Sequence, residues 1–234
     1  MKLEDVRRIM SIDAESNGLH GEVFAVGAVV LTLDGKIESR FYGRAPTPDK
    51  LDPWVARHVV PSLDVTGCGA TYADAKCMRD AFWEWFLGRK SVCLVVADCG
   101  WPVEAGLFSE CVRDAPRRSG EGPYPLHEVA TLLLAAGMDP LGVYDELCPK
   151  DDTFSKLPRH HPVRDALQSA GCALEAIRRI VALRETKASF VRKCEEVALA
   201  AEHDDSPGGA GLVAREVVAP IMLELAAWSR GEGE

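Results

Sequence analysis

Apolar residues open the chain in two runs separated by a polar interval. Ile9, Met10 and Ile12 make the first, and Val23 to Leu31 the second. Short apolar runs rich in β-branched residues predict buried strands, one over Arg8–Asp13 and another over Val23–Leu33. Asp34-Gly35 is a hairpin signal, and Lys36–Arg44 completes a third strand. Consecutive strands joined by short turns begin an antiparallel sheet. Pro46, Pro48 and Pro53 then mark a loop. Beyond it the period changes: Ala75, Met78, Phe82, Trp85 and Phe86 fall on one face of a helix over Tyr72–Leu87. Val92–Ala97 reads as a short buried strand and Val103–Val112 as a helix. Arg113–Pro125 reads as a loop, Leu126–Ala136 as a strand leading into a helix, and Asp139–Pro158 as irregular. From His160 to Leu183, the residues Leu167, Ala170, Leu174, Ile177 and Val181 form one helical stripe. Strands first, then alternating helices and strands, predict an α/β protein with a mixed β-sheet flanked by α-helices.

Past Leu183 two further helical patterns follow. Glu185–Glu202 carries Phe190, Cys194, Val197, Leu199 and Ala201, and Val213–Trp228 carries Val217, Val218, Ile221, Met222, Leu225 and Trp228. Asp204–Gly211 links them, and Pro220 kinks or starts the second. Residues 1–183 are therefore expected to form one domain and 184–234 a helical C-terminal extension. That extension either folds back on the core or docks a second copy as a homodimer.

With 234 residues and 47% hydrophobic content, the chain can bury a real core. No apolar run reaches the length of a membrane span, and the charged segment Met1–Arg8 lacks the apolar stretch of a secretory signal. Cys68, Cys77, Cys93, Cys99, Cys111, Cys148, Cys172 and Cys194 show no Cys-x-x-Cys pair and no zinc-like spacing. They read as reduced thiols of a cytoplasmic protein. The net charge of −9 argues against a protein that grips long duplexes. Its distribution is uneven, with −5 in residues 185–234 and −4 in the other 184. Arg113, Arg117 and Arg118 read as a solvated basic face, whereas Arg159 and Arg164 flank the chemistry described next and could contact phosphates.

Asp13 and Glu15 close the first strand two residues apart, so alternation puts both carboxylates on one face. Like charges held that close are tolerated mainly when a cation sits between them. Oxygen ligands of this kind suit Mg²⁺ or Mn²⁺. The plainer alternative is a strand end entering a solvated turn at Gly18. Far down the chain, His160-His161-Pro162-Val163-Arg164-Asp165-Ala166 puts a histidine five residues before an aspartate. Pro162 suits a helix start, which places His160 in the preceding loop and Asp165 in the first turn. Here the alternative is a helix-dipole aspartate beside a surface histidine.

Together the clusters resemble the DEDDh family of 3′-to-5′ exonucleases. The family opens with Asp-x-Glu followed by Gly-Leu, matched by Asp13, Glu15, Gly18 and Leu19. It closes with His-x4-Asp-Ala, matched by His160, Asp165 and Ala166, about 150 residues later. Val129–Leu134 is similar to an intervening Asp/Cys-Thr-Leu-Leu segment, and the resemblance covers residues 8–183. The middle acid departs from the pattern. Counting back from Leu107-Phe108 it falls on Glu104, while Asp98 stands at the end of the strand before it.

The resemblance implies a ribonuclease H-like fold and two-metal hydrolysis of phosphodiester bonds at DNA or RNA 3′ ends, single-stranded or short, releasing nucleoside 5′-monophosphates. Asp13, Glu15, Asp165 and one of Glu104 or Asp98 would hold two Mg²⁺ or Mn²⁺ ions, and His160 would act as the base, with His161 its rival. Ser16, Asn17, Gly18 and Leu19 would receive the terminal nucleotide, and Trp101 could stack a base. A different class is a catalytically silent nucleic-acid-binding or scaffold domain that kept the fold. An unrelated α/β hydrolase or transferase lacks support, because no Gly-x-Ser-x-Gly, P-loop or dinucleotide fingerprint is present.

Overall fold

A computed structural model describes residues 5–63, 69–150, 154, 156–202 and 220, without the side chains of 194–202. Contacts divide the chain into two compact units, Met1–Arg178 and Arg179–Glu234.

The first unit is built on one six-stranded sheet in the order β4-β3-β2-β1-β5-β6. β1 (Arg8–Ser16), β2 (Val23–Thr32) and β3 (Ile37–Arg44) form the expected antiparallel meander. Gly35, in the left-handed region at φ 88°, makes the hairpin turn between β2 and β3. β5 (Cys93–Ala97) then pairs parallel to β1, and β6 (His127–Glu128) parallel to β5. On the other edge, β4 (Ala70–Thr71) pairs parallel to β3. This is a mixed sheet, and it puts β1 in the middle, where its end is flanked by chain on both sides.

Helices cover the centre of the sheet because β1 and β2 carry apolar residues on both faces. Met10, Ile12 and Ala14 of β1 and Val26, Ala28 and Val30 of β2 enter one buried cluster with Met78, Phe82, Trp83 and Phe86 of α3 (Ala75–Leu87) and Leu107, Phe108 and Cys111 of α4 (Val103–Asp114). Asp74 caps α3 by accepting from the Cys77 N–H at 2.7 Å, which is why the helix starts three residues later than the apolar pattern suggested. Arg79 ties α3 to α4 through both carboxylate oxygens of Asp114, at 2.6 and 3.2 Å, and through Glu110 at 3.0 Å. α5 (Val129–Ala135) follows β6 directly.

Two features depart from expectation. The proline-marked loop ends in two short helices, α1 (Pro53–His58) and α2 (Val60–Leu63). Val55, Val59 and Leu63 bury a separate small cluster against Phe24 and Ala25 of β2. α6 runs unbroken from Pro162 to Glu202, although two helices were expected on either side of Leu183. Nothing in Leu183-Arg184-Glu185-Thr186-Lys187 stops a helix. In the second unit, the helix residues 181–188 are all exposed. The linker Asp204–Gly211 and all but Pro220 of the Val213–Trp228 pattern lie outside the described residues. No described helix is long and apolar enough to cross a membrane. Among the described residues Cys77, Cys93, Cys99, Cys111, Cys148 and Cys172 are free thiols.

Gly27 sets where α6 can start. A Cβ there would come within 2.2 Å of the Pro162 carbonyl carbon and 2.3 Å of the Val163 nitrogen. Backbone of β2 and of the α6 N-terminus thus meet with no side chain between them, opposite Asp13, which pairs with Gly27 in the sheet. Gly27→Ala is expected to cost about 1–3 kcal/mol, because neither backbone can give way. A urea midpoint equal to that of the wild type would contradict it.

Candidate active site

The end of β1, the start of α4 and the start of α6 deliver carboxylates to one place. Asp13 and Glu15 point to the same side of β1, away from Met10, Ile12 and Ala14. Glu104, in the first turn of α4, is buried and accepts a hydrogen bond from the Ala14 N–H at 3.2 Å. Asp165 sits in the first turn of α6. Asp98, just past β5, lies exposed on the rim. One ligand atom each from Glu15, His160 and Asp165 lie within 4.8 Å of one another.

The electrostatics follow from this crowding. Burial raises the Asp13 carboxyl well above the ordinary range, and Glu15, Asp165, Glu104 and Asp98 each push it further. Glu15 is raised to about 8, first by burial and then by Asp165 and Glu104. Glu104 is raised to about 7 by burial and by Asp98, against the lowering effect of hydrogen bonds from its own N–H and that of Ala14. Asp98, though on the rim, is raised by partial desolvation of its carboxyl and by Asp165. Asp13 Oδ2 is sealed from solvent without a hydrogen-bond partner. A buried oxygen left unpaired among mutually repelling carboxylates is costly in a protein standing alone. A divalent cation removes both costs, and an oxygen-rich set with one imidazole suits Mg²⁺ or Mn²⁺. The residues present therefore fit such ions.

The two histidines have opposite surroundings. His161 is completely buried, its Nδ1 accepts from the Val163 N–H at 3.3 Å, and its ring packs on Tyr42 at 4.7 Å. Burial drives its pKa down to about 4. His160 is half-buried, in the left-handed region at φ 65°, with its N–H donating to Asp165 Oδ2 at 2.8 Å. Only His160 joins the carboxylates with a ring that solvent can reach.

Several residues expected to touch substrate have other partners. Arg164 is buried and turned inward, donating to Asp165 at 2.8 Å, to Asp145 at 2.5 Å and to Gln168. Its guanidinium orients Asp165 and is not free for a phosphate, because its donors already face three acceptors. Arg159 also pairs with Asp145, at 3.0 Å, but stays exposed. The Asn17 amide is engaged with Lys50 and Asp52. Ser16 donates to the Gly18 carbonyl at 2.7 Å, shaping the turn in which Gly18 adopts φ 76°. Leu19 is 67% exposed and Trp101 68%, the latter edge-on to His20 at 6.3 Å. An open groove of about 430 Å³ runs beside Trp101, lined by Gly100, Ala105, Leu126, Glu128 and Thr131.

Two residues near the cluster had no signal in the motifs. Trp54 on α1 lies edge-on to His160 at 5.2 Å, and Ser62 on α2 donates to the His160 carbonyl at 2.5 Å. Asp52-Pro53 is an N-cap and first-turn pair that marks the start of α1. Nothing in the linear pattern links that helix to His160, 98 positions beyond Ser62.

The chain matches no protein-family model and no curated protein. Among solved structures it is similar to the nuclease domain of 3′hExo, described as a DEDDh family member bound to rAMP. The two share 13% identity over 74% of this chain and 92% of that one, with a TM-score of 0.44.

Proposed function

We propose that this chain is a metal-dependent 3′-to-5′ exonuclease of the DEDDh kind, hydrolysing phosphodiester bonds at single-stranded or short DNA or RNA 3′ ends and releasing nucleoside 5′-monophosphates. The observation that carries the reading is the convergence of Asp13, Glu15, Glu104 and Asp165 with His160, from three distant stretches of chain. Asp13, Glu15, Glu104 and Asp165 would hold two Mg²⁺ or Mn²⁺ ions, with Asp98 on the rim. Bound there, the ions would lower the pKa of a water and neutralise charge on the entering and leaving oxygens.

The protein's own groups supply the rest. Glu104 is preferred to Asp98 as the middle acid because it is buried and held by the Ala14 N–H, next to Asp13. His160 accepts the proton of the attacking water, since its ring is reachable, whereas His161 is sealed off and its basicity is depressed. Arg164 keeps the Asp165 carboxylate aimed while offsetting part of the local negative charge. Leu19 and Trp101 offer apolar surface to splayed bases, which supports unpaired 3′ ends over duplex. The groove beside Trp101 has room for a further nucleotide. Free thiols at Cys77, Cys93, Cys99, Cys111, Cys148 and Cys172 agree with a reducing, cytoplasmic setting.

The test is digestion of a 5′-labelled oligonucleotide with Mn²⁺, then with chelator. Stepwise shortening from the 3′ end that stops on chelation is expected. Binding without shortening would instead make the chain a silent nucleic-acid-binding domain.

A further inference from the structure

We propose that α1 and α2 act as a brace that sets the direction of the His160 imidazole, with Asn17 as the anchor and Trp54 as the contact; its catalytic consequence rests on the reading of His160 as the base. The backbone of His160 is held from both sides. Its N–H donates to Asp165 Oδ2 at 2.8 Å, and its carbonyl accepts from Ser62 Oγ at 2.5 Å. Those bonds leave the side-chain torsions free. A ring nitrogen lies within 4.8 Å of oxygens of Glu15 and Asp165, and the aromatic ring that packs on it is Trp54, edge-on at 5.2 Å and 80° between planes. The Trp54 indole also packs against His58, at 5.1 Å. The indole thus contacts two imidazoles, and its place depends on where α1 begins.

That start is fixed by a short chain of polar contacts. Asp52 Oδ1 accepts from the N–H groups of Trp54 and Val55, at 2.8 and 3.3 Å. The Asp52 N–H donates to Asn17 Oδ1 at 2.7 Å, and Asn17 Nδ2 donates to the Lys50 carbonyl at 2.9 Å. One amide supplies a donor and an acceptor to neighbouring stretches of backbone, which defines its orientation and which an aspartate cannot reproduce. Asn17 follows β1 directly, so the strand carrying Asp13 and Glu15 also carries the anchor of the brace. The far end of the brace rests on β2 through Val55, Val59 and Leu63. Carboxylates and imidazole are in this way referenced to the same two strands. Asn17 and Trp54 are positioning residues, acting on the reaction through His160.

The experiment reads the ring directly. In the metal-free wild type, the His160 Hε1 proton resonance, assigned with His160→Gln, should carry a ring-current shift that disappears in Trp54→Ala. The proposal expects Asn17→Ala to lose at least half of that shift although both rings are still present, and Asn17→Asp to lose it as well. A wild-type shift in Asn17→Ala overturns the brace. In turnover, Asn17→Ala and Trp54→Ala should each lower kcat about tenfold at unchanged KM, with the double variant no worse than either alone and Trp54→Phe restoring most of the loss. A raised KM at unchanged kcat would make Trp54 a substrate contact and also overturn the proposal. If the wild type hydrolyses no oligonucleotide, the exonuclease reading falls, and the resonance shift still decides the brace.

Discussion

Asp13→Asn is expected to make the metal-free protein more stable and to reduce 3′-end hydrolysis by about a thousandfold or more. The two effects share one cause. Asp13 is the most crowded acid of the site: burial and four neighbouring carboxyls all disfavour its charge, and its Oδ2 has no partner. An amide of the same shape removes one of the repelling charges. The gain should appear as a higher melting temperature than that of the wild type in chelator. On the proposed reading the same change removes a carboxylate that would hold the cations, so the charge that destabilises the free protein would be the charge that binds them. Thermal melts in chelator, paired with turnover in Mn²⁺, check both halves. A variant that melts lower than wild type, or that keeps its activity, would contradict this account.

The melting temperature of the metal-free protein is expected to fall between pH 6.5 and 8, and Mn²⁺ should reverse the trend. Glu15 and Glu104 have folded-state values of about 8 and 7, against 4.5 for a free glutamate. Between these limits the folded state holds protons that the unfolded chain has released, so stability declines as pH rises. His161 works the other way at lower pH. Its folded value of about 4 lies below the ordinary 6.5, so it adds stability mostly as pH climbs to 6.5 and little thereafter. The carboxylates therefore dominate the window from 6.5 to 8, and the fall across it should be about 2 kcal/mol. Cation binding needs the charged carboxylates, so its stabilisation grows over the same window, reaching about 2.7 kcal/mol at a hundredfold excess over Kd. A flat profile in chelator, or melts indifferent to Mn²⁺, would remove the electrostatic basis of the site.

How far the chain could be read in advance differs by element. β1, β2 and β3 and the turn at Gly35 follow from short-range pattern, because a hairpin brings together residues that are already neighbours in sequence. The limits of α3 are set by a cap at Asp74 that outweighs the apolar residue Tyr72. Val92 stays outside β5 because it adopts φ 56°, which a strand residue cannot. α1 and α2 escaped notice because six and four residues are too few to show a helical period, and because prolines dominate their surroundings. β4 has only two residues, held by pairing with β3.

The same division runs through the site. Composition and spacing alone determined that this is an α/β chain with paired acids at the end of its first strand and a His-x4-Asp at the start of a long helix. These are properties of local order, where side-chain alternation and helix starts are decided by adjacent residues. Tertiary structure alone decided which groups meet. It buried Glu104 against the Ala14 N–H and left Asp98 on the rim; it sealed His161 in the core and kept His160 open; it turned Arg164 and Asn17 from substrate toward the protein's own backbone and carboxylates. It also brought Trp54 to His160 across more than a hundred positions. Contacts at that range depend on how the β2 surface and the α6 N-terminus pack through Gly27, and no local pattern encodes that packing.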